Sequence, residues 1–228
     1  PLVISTTAAP TTSNATGTSP WIAGAPSGGV GFQGLWINAG TIGSTSIDIR
    51  ATVTSLSSGS VTFFTQSDDP SILLNAAGDA TIKWEIFASG TNQTVVAVGT
   101  PNFQIIDIDG VGGSPNTRET VGPSLNGLTT FTVDSPTNLV ATTSAAGVSV
   151  TGTQNQASER TSLTAFTWQE VSSWTVSYTL NGASGFANAV FQHDGDGDFT
   201  FLAPQTTSLL SIDLDANNSA SSGTAYQA

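Results

Sequence analysis

Three stretches of this chain alternate strictly between apolar and polar residues, and this alternation limits the fold more than any other feature. The apolar positions are Ile47, Ile49, Ala51 and Val53, then Ile82, Trp84, Ile86 and Ala88, then Trp174, Val176, Tyr178 and Leu180. Successive side chains of a strand point to opposite faces, so this period predicts half-buried strands. No tract shows helical periodicity over three turns. We therefore predict an all-β, antiparallel β-sandwich of jelly-roll-like type, and the acidic clusters described below lead us to expect calcium-binding loops on it.

The same alternation predicts which side chains fill the core and where the chain turns. Two Asn-Gly pairs, Asn126-Gly127 and Asn181-Gly182, are typical of tight hairpins. The predicted core residues are Trp36, Ile49, Val53, Trp84, Ile86, Phe131, Trp174, Val176 and Phe199.

Composition excludes several classes of function. The chain of 228 residues has a formal net charge of -12, with four Lys and Arg against sixteen Asp and Glu. This charge repels phosphate, so we expect no nucleic-acid partner. No run of about 18 apolar residues exists, so we expect no membrane insertion. Cysteine is absent, which excludes disulfides and thiolate metal sites.

Changes in composition divide the chain into three parts. Residues 1–20 are rich in Thr, Ser, Ala and Pro, and we expect a linker or an edge segment. Residues 21–202 form the predicted sandwich. Residues 203–228 are small, polar and acidic, and we interpret them as a linker or the first strand of a following domain. The chain starts at Pro1, and we expect it to be a fragment of a longer protein.

The stretch FQHDGDGDFTF holds Asp194, Asp196 and Asp198, separated only by glycine. In an extended strand all three point to one side and repel one another. Phe199 stands where an EF-hand loop needs glycine, so that motif is excluded. An exposed acidic turn is one interpretation. Three acids in five residues favour a bound cation, and oxygen ligands favour Ca²⁺. We expect His193 beside them to be a hydrogen-bonding surface residue.

A second acidic cluster contains Asp107, Asp109 and Glu119 in the stretch IIDIDGVGGSPNTRET. The two aspartates continue an apolar strand face, which suits a site at the rim of a sheet. The other interpretation is a solvated strand end where Arg118 pairs with a carboxylate. We expect this loop to lie beside the three aspartates of HDGDGDF, so that up to six carboxylates surround one or more calcium ions.

Several stretches in order across residues 36–199 carry a resemblance to a known family. They include WINAGTIGSTSIDIRATV, FQIIDIDG followed by RETV, and WTVSYTLNGASGFANAVFQHDGDGDF. Together they resemble a module of very large bacterial surface proteins, the RTX adhesins, whose relatives include a calcium-dependent peptide-binding domain. The resemblance implies an extracellular module that binds a peptide or glycan for cell adhesion or biofilm, beside neighbouring domains of one long chain. The implied calcium ligands are Asp107, Asp109, Glu119, Asp194, Asp196 and Asp198.

Two other functions stay open from the residues alone. The first is a structural extender domain, in which calcium only rigidifies loops and joints. The second is a glycosidase that uses Asp107 and Asp109 as an acid pair. Both acids flank glycine loops, and a single His gives no basis for a Ser-His-Asp triad, so we expect no enzyme.

Overall fold

The computed structural model describes residues 2–97, 102–111, 116–144, 147–154, 162–196 and 200–209. Their regular structure is twenty strands and one short 3-10 helix, Gly182–Ser184. The strands are β1 (Leu2–Ile4), β2 (Thr11–Ser13), β3 (Gly17–Thr18), β4 (Pro26–Gly28), β5 (Gln33–Ile42), β6 (Thr45–Leu56), β7 (Val61–Gln66), β8 (Asp69–Leu74), β9 (Gly78–Ala88), β10 (Asn102–Ile105), β11 (Gly110–Val111), β12 (Asn116–Thr117), β13 (Glu119–Pro123), β14 (Leu128–Val133), β15 (Leu139–Ser144), β16 (Gly147–Gly152), β17 (Thr164–Trp168), β18 (Ser173–Leu180), β19 (Ala189–Gln192) and β20 (Gln205–Ser208).

Antiparallel pairing arranges most of these strands in two layers, and β11 and β12 pair with each other as a separate two-stranded sheet. One layer is a nine-stranded sheet in the order β1-β5-β6-β9-β18-β13-β16-β15, with β2 also paired to β5. The other layer contains a five-stranded sheet, β19-β8-β7-β4-β3, and a four-stranded sheet, β10-β17-β14-β20. These two sheets adjoin, because the Ile106 N–H donates to the Gln192 carbonyl at 3.0 Å. The predicted all-β antiparallel sandwich is confirmed.

Aromatic side chains connect the two layers in one hydrophobic cluster. The ring of Trp36 in β5 lies 6.0 Å from that of Phe63 in β7, and Trp84 in β9 lies 5.2 Å from Phe103 in β10. Large buried rings dominate the energetics of such a core. The predicted core residues in the described ranges are all buried: Trp36, Ile49, Val53, Trp84, Ile86, Phe131, Trp174 and Val176. Phe199 lies outside the described residues.

Both predicted hairpins are wrong, because the strands that flank each Asn-Gly pair belong to different layers. Gly127 has φ 72° in the turn from β13 of the large sheet to β14 of the four-stranded sheet. Asn181 instead caps the 3-10 helix between β18 and β19, and its side chain accepts a hydrogen bond from the Ala183 N–H. The residues suit positive φ and capping, as expected, but local chemistry does not fix which strands pair.

Strand pairing extends into both outer segments of the chain. β1 and β2 pair with β5 at an edge of the large sheet, and β3 pairs with β4. β20 pairs with β14 over four residues, so this stretch adds a strand to the sandwich. The division into residues 1–20, 21–202 and 203–228 stays a prediction. In the described part of the chain, no helix is long and apolar enough to span a membrane.

Candidate functional site

Four carboxylates meet where the β7–β8 hairpin and the segment after β19 come together. Asp68 and Asp69 belong to the hairpin, whose turn residue Ser67 has φ 58°. Asp194 and Asp196 follow β19, and the Asp194 Oδ1 accepts a hydrogen bond from the Asp196 N–H at 3.1 Å. We call Asp68, Asp69, Asp194 and Asp196 the Asp69 group. That bond turns the chain, so the predicted extended strand through these aspartates is wrong.

Asp69 is the most perturbed member of this group. It is 3 % exposed, and its Oδ2 accepts from Gln192 Nε2 at 2.8 Å. Its Oδ1 is buried and has no hydrogen-bond partner among the described residues. Burial raises the pKa of Asp69 to about 7, the Gln192 bond opposes this, and the negative charges of Asp194, Asp68 and Asp196 raise the pKa further.

A buried hydrogen-bonded chain supports the backbone beside this group. The Trp84 indole, which can only donate, bonds to the Tyr178 oxygen at 3.2 Å. The Tyr178 hydroxyl therefore donates to His193 Nε2 at 2.8 Å, and the His193 Nδ1–H donates to the Pro70 carbonyl at 2.7 Å. This chain of bonds holds the carbonyl group of Pro70, the residue that follows Asp69.

His193 is therefore a core residue, and its prediction as a surface residue is wrong. It is 1 % exposed and stacks on Phe103, with 4.9 Å between ring centroids. Burial lowers the pKa of His193 to about 3, so the ring is neutral at neutral pH, although the Pro70 bond opposes the shift. Both ring nitrogens are engaged in hydrogen bonds, which leaves no lone pair for a metal ion.

The second predicted cluster contains its own cation. We call Asp107, Asp109, Arg118 and Glu119 the Arg118 group. Arg118 lies 3.4 Å from the Asp109 carboxylate and 3.2 Å from the Glu119 carboxylate. The Glu119 Oε2 also accepts from the Asp109 N–H at 2.8 Å. The Arg118 guanidinium lies over the Phe186 ring at 3.9 Å, a cation–π contact.

Burial dominates the electrostatics of Glu119, which is 2 % exposed. It raises the pKa of Glu119 to about 8, while the Asp109 N–H and Arg118 oppose the shift and the charges of Asp109 and Asp107 add to it. Asp107 has φ 64°, a conformation more common for Asp than for most residues. This cluster is a buried ion pair with an additional acid.

The two predicted clusters lie near opposite ends of β19, with Asp194 after its last residue and the Arg118 group near Asn188, before its first residue. The Gln104 N–H donates to the Asp194 carbonyl, whereas Arg118 reaches the Asn188 carbonyl at 3.5 Å. Asp194 and Asp196 lie with Asp68 and Asp69, which the sequence pattern did not indicate as site residues. The adjacent acids Asp68 and Asp69, one in the hairpin turn and one at the start of β8, were the available signal in the sequence. Asp198 lies outside the described residues.

The two groups differ in how well they fit calcium. Across the described ranges, no three Asp, Glu or His side chains are placed to hold a metal ion together. In the Arg118 group, the guanidinium occupies the position that a metal ion would take. The Asp69 group offers the buried Asp69 Oδ1 as a donor, and Ca²⁺ also accepts backbone carbonyls and water.

A groove of about 170 Å³ opens on the outer face of the large sheet. We call it the Arg50 groove. Arg50 of β6 donates from Nε and Nη2 to Glu85 Oε2 at 3.1 and 2.7 Å, and Lys83 donates to Glu85 Oε1 at 2.8 Å. The Arg50 guanidinium lies 4.5 Å from the centre of the Phe87 ring. These contacts hold the guanidinium in one orientation.

Asp48 supplies a fixed negative charge to the same groove. Its carboxylate accepts from the Asn38 N–H at 2.8 Å, the Ser89 hydroxyl at 2.7 Å and the Gly90 N–H at 3.0 Å. Burial raises the pKa of Asp48, but hydrogen bonds from Asn38, Gly90 and Ser89 outweigh it and hold the pKa below its usual value. Asp48 is therefore ionised at neutral pH.

Solved structures of two bacterial adhesin domains have a fold similar to that of this chain. The N-terminal domain of the Streptococcus gordonii adhesin Sgo0707 is similar with a TM-score of 0.53 and 14% identity, over 85% of this chain and 57% of that chain. The adhesin domain of PrgB from Enterococcus faecalis has a TM-score of 0.52 and 10% identity, over 75% of this chain and 66% of that one. The structure of the PrgB adhesin domain bound to DNA has a TM-score of 0.51 and 11% identity, over 75% of this chain and 70% of that chain. No family model matches the chain, and no curated protein matches it in sequence.

Proposed function

We propose that this protein is the ligand-binding β-sandwich module of a bacterial surface adhesin and acts outside the cell. The observation that carries the proposal is the likeness of the fold to the adhesin domains of Sgo0707 and PrgB over 75–85% of this chain. The matched structures are adhesin domains rather than enzymes, and we propose no catalytic role. This chain spans only 57% of the Sgo0707 domain that it matches. The partners of a whole adhesin are therefore proposed for this chain and not carried over as fact.

The ligand in this proposal is a peptide or a glycan on another surface. The net charge of -12 argues against nucleic acid, although the matched PrgB domain is bound to DNA. Two of the three described cations, Arg50 and Lys83, bond to Glu85, and the third, Arg118, is held by Asp109 and Glu119. The described residues therefore offer no basic stripe for a phosphate backbone.

We further propose that ligand binding depends on calcium and that the module belongs to an RTX-type adhesin. Calcium would act at the Asp69 group, where it would neutralise carboxylates and stabilise the contact between the β7–β8 hairpin and the segment after β19. Asp107, Asp109 and Glu119 are weaker candidates, because Arg118 already neutralises them. If calcium binds and no surface ligand exists, the structural extender is the correct function.

Binding of the purified protein to immobilised glycans and extracellular-matrix peptides, with duplex DNA as a third surface, tests this proposal. We expect saturable binding to at least one glycan or peptide surface and none to DNA at 150 mM salt. Heat-unfolded protein is the control for non-specific adsorption. Absence of saturable binding on every surface would overturn the ligand-binding function. Saturable binding to DNA alone would replace it with DNA binding.

A further inference from the structure

We propose that the Arg50 groove binds one neutral sugar ring of a glycan. This inference rests on the proposed adhesin function and names its class of ligand and its place on the fold. The groove lies on the outer face of β5, β6 and β9 and is bounded by the edge strand β2. It is separate from both acidic groups described above.

The charges of the groove favour a neutral ligand. The charged residues that line the groove are one cation, Arg50, and one carboxylate, Asp48, so the charges of its lining balance. The rest of the chain is strongly negative, since the whole protein carries -12. An anionic ligand would meet long-range repulsion, and a cationic ligand would meet no local surplus of negative charge.

The polar groups of the groove suit sugar hydroxyls, which both donate and accept hydrogen bonds. The Arg50 guanidinium has five N–H donors, and its bonds to Glu85 use only part of them. Thr11 and Ser13 of β2, which share the outer face with Leu35 and Gln33, line one part of the groove, and Asn92 lines another. These groups provide both donors and acceptors around one small space.

Carbon surface in the same groove suits the C–H face of a pyranose. Leu35 of β5 is half-buried and lines the groove together with Phe87 of β9. A site with an apolar lining and a few fixed polar groups is the usual architecture of a small-molecule site. Its volume of about 170 Å³ is small for such sites, which favours a single ring over an extended peptide.

Preorganisation supports the role of Arg50. Its guanidinium is fixed by Glu85 on one side and by the Phe87 ring on the other, so ordering it costs little entropy on binding. Glu85 is itself 12 % exposed and is held by Lys83. A donor that is already oriented before the ligand arrives is the feature that separates this groove from an ordinary surface depression.

The test is a titration of the ¹⁵N-labelled protein with the methyl glycosides of glucose, mannose, galactose and N-acetylglucosamine, followed by NMR. We expect saturable shifts at the Arg50 Nε–H and the Asn92 amide for at least one sugar, with a dissociation constant in the millimolar range. Arg50→Gln should weaken this binding at least tenfold. Lys83→Gln is the matched control, since it also removes a Glu85 bond but lies outside the groove, and its affinity should not change.

A second variant keeps the test valid if Arg50→Gln does not fold. Thr11→Trp, at the β2 position that pairs with Leu35, fills the groove from the edge strand and leaves Arg50 in place, so it should abolish the shifts. No saturable shift with any of the four sugars would overturn the inference, as would equal losses in Arg50→Gln and Lys83→Gln. Binding to peptide surfaces without these shifts would leave the adhesin function intact and overturn the sugar site alone.

Discussion

The Asp69 group and the Arg118 group start from similar sequence patterns, and burial raises the pKa of one carboxyl in each, but the Arg118 group also contains a cation within ion-pair distance. Both contain aspartates two residues apart beside glycines, and both bury a carboxylate almost completely. Arg118 lies within 3.4 Å of two acids in its group. At Asp69, the side chain that donates is the neutral amide of Gln192, and the charges that act on it are negative.

This difference shows that a cation within reach, rather than the spacing of acids, decides what an acidic cluster does. Arg118 precedes Glu119 in the chain, and the following strand β13 places both beside Asp109. The Asp69 group forms from segments about 120 residues apart in the chain, as in the contact of Asp69 with Gln192. A buried charge without a partner is costly, so this group retains a proton or binds a cation.

Arg118→Met tests the Arg118 group and should lower the free energy of unfolding more than any of the substitutions that follow. Removal of one partner from a buried ion pair costs about 3–5 kcal/mol, because it leaves an uncompensated buried charge. Without the guanidinium, which lowers the pKa of Glu119, that pKa should rise further. The loss in unfolding free energy should therefore be greater at pH 8.5 than at pH 6. Urea unfolding at both values of pH measures it.

Lys83→Gln is the control for that experiment. Lys83 pairs with Glu85, but its side chain is 43 % exposed, and such surface pairs contribute about 0–1 kcal/mol. Equal losses for the two variants would show that Arg118 does not compensate buried acids, and the contrast between the two groups would disappear.

Asp69→Asn tests the Asp69 group. Its effect on stability should be smaller than that of Arg118→Met and should depend on pH. The pKa of Asp69 in the folded protein is about 7, above its ordinary value of 3.8. The folded state therefore binds the Asp69 proton more tightly than the unfolded state does. The stability that this proton provides is complete below pH 3.8 and is lost as the pH rises through 7. The wild type should therefore melt at a lower temperature at pH 8 than the variant, and the difference should shrink toward pH 5.

The exposed residue Asp79 provides the matched control for this change. Asp79→Asn removes one carboxylate from an exposed position of the sheet face, so it measures the effect of losing a negative charge without burial. Parallel melting curves for wild type and Asp69→Asn from pH 5 to pH 8 would contradict the raised pKa of Asp69. His193, with its pKa lowered to about 3, acts in the opposite direction below pH 6.5, so the comparison of variants is more informative than the wild type alone.

The fold class was predictable because the pattern that indicates it lies within single strands of the sequence. Period-two alternation reports burial directly, and Trp84, Trp174 and Val176 lie inside as predicted. Pairing was not predictable in the same way. Asn126-Gly127 and Asn181-Gly182 report backbone conformation, and nothing in them indicates that the next strand crosses to the other layer.

The sites were predictable only where partners are neighbours in the chain. The pairing of Arg118 with a carboxylate was one of the two interpretations, and the structure contains that pair. Asp69 was missed because its partners come from β19, more than a hundred residues away. His193 was misplaced for the same reason, since its partners Tyr178 and Pro70 come from two other strands.

The central proposal, that calcium binds at the Asp69 group and not at the Arg118 group, is tested most directly by thermal melting at pH 8 in CaCl₂ and in EDTA. At a hundredfold excess over the dissociation constant, calcium should stabilise the wild type by about 2.7 kcal/mol, roughly 5–10 °C. Asp109→Asn should keep this shift, and Asp69→Asn should lose it. A wild type that melts identically in calcium and EDTA, or an Asp69→Asn variant that keeps the full shift, would contradict the account.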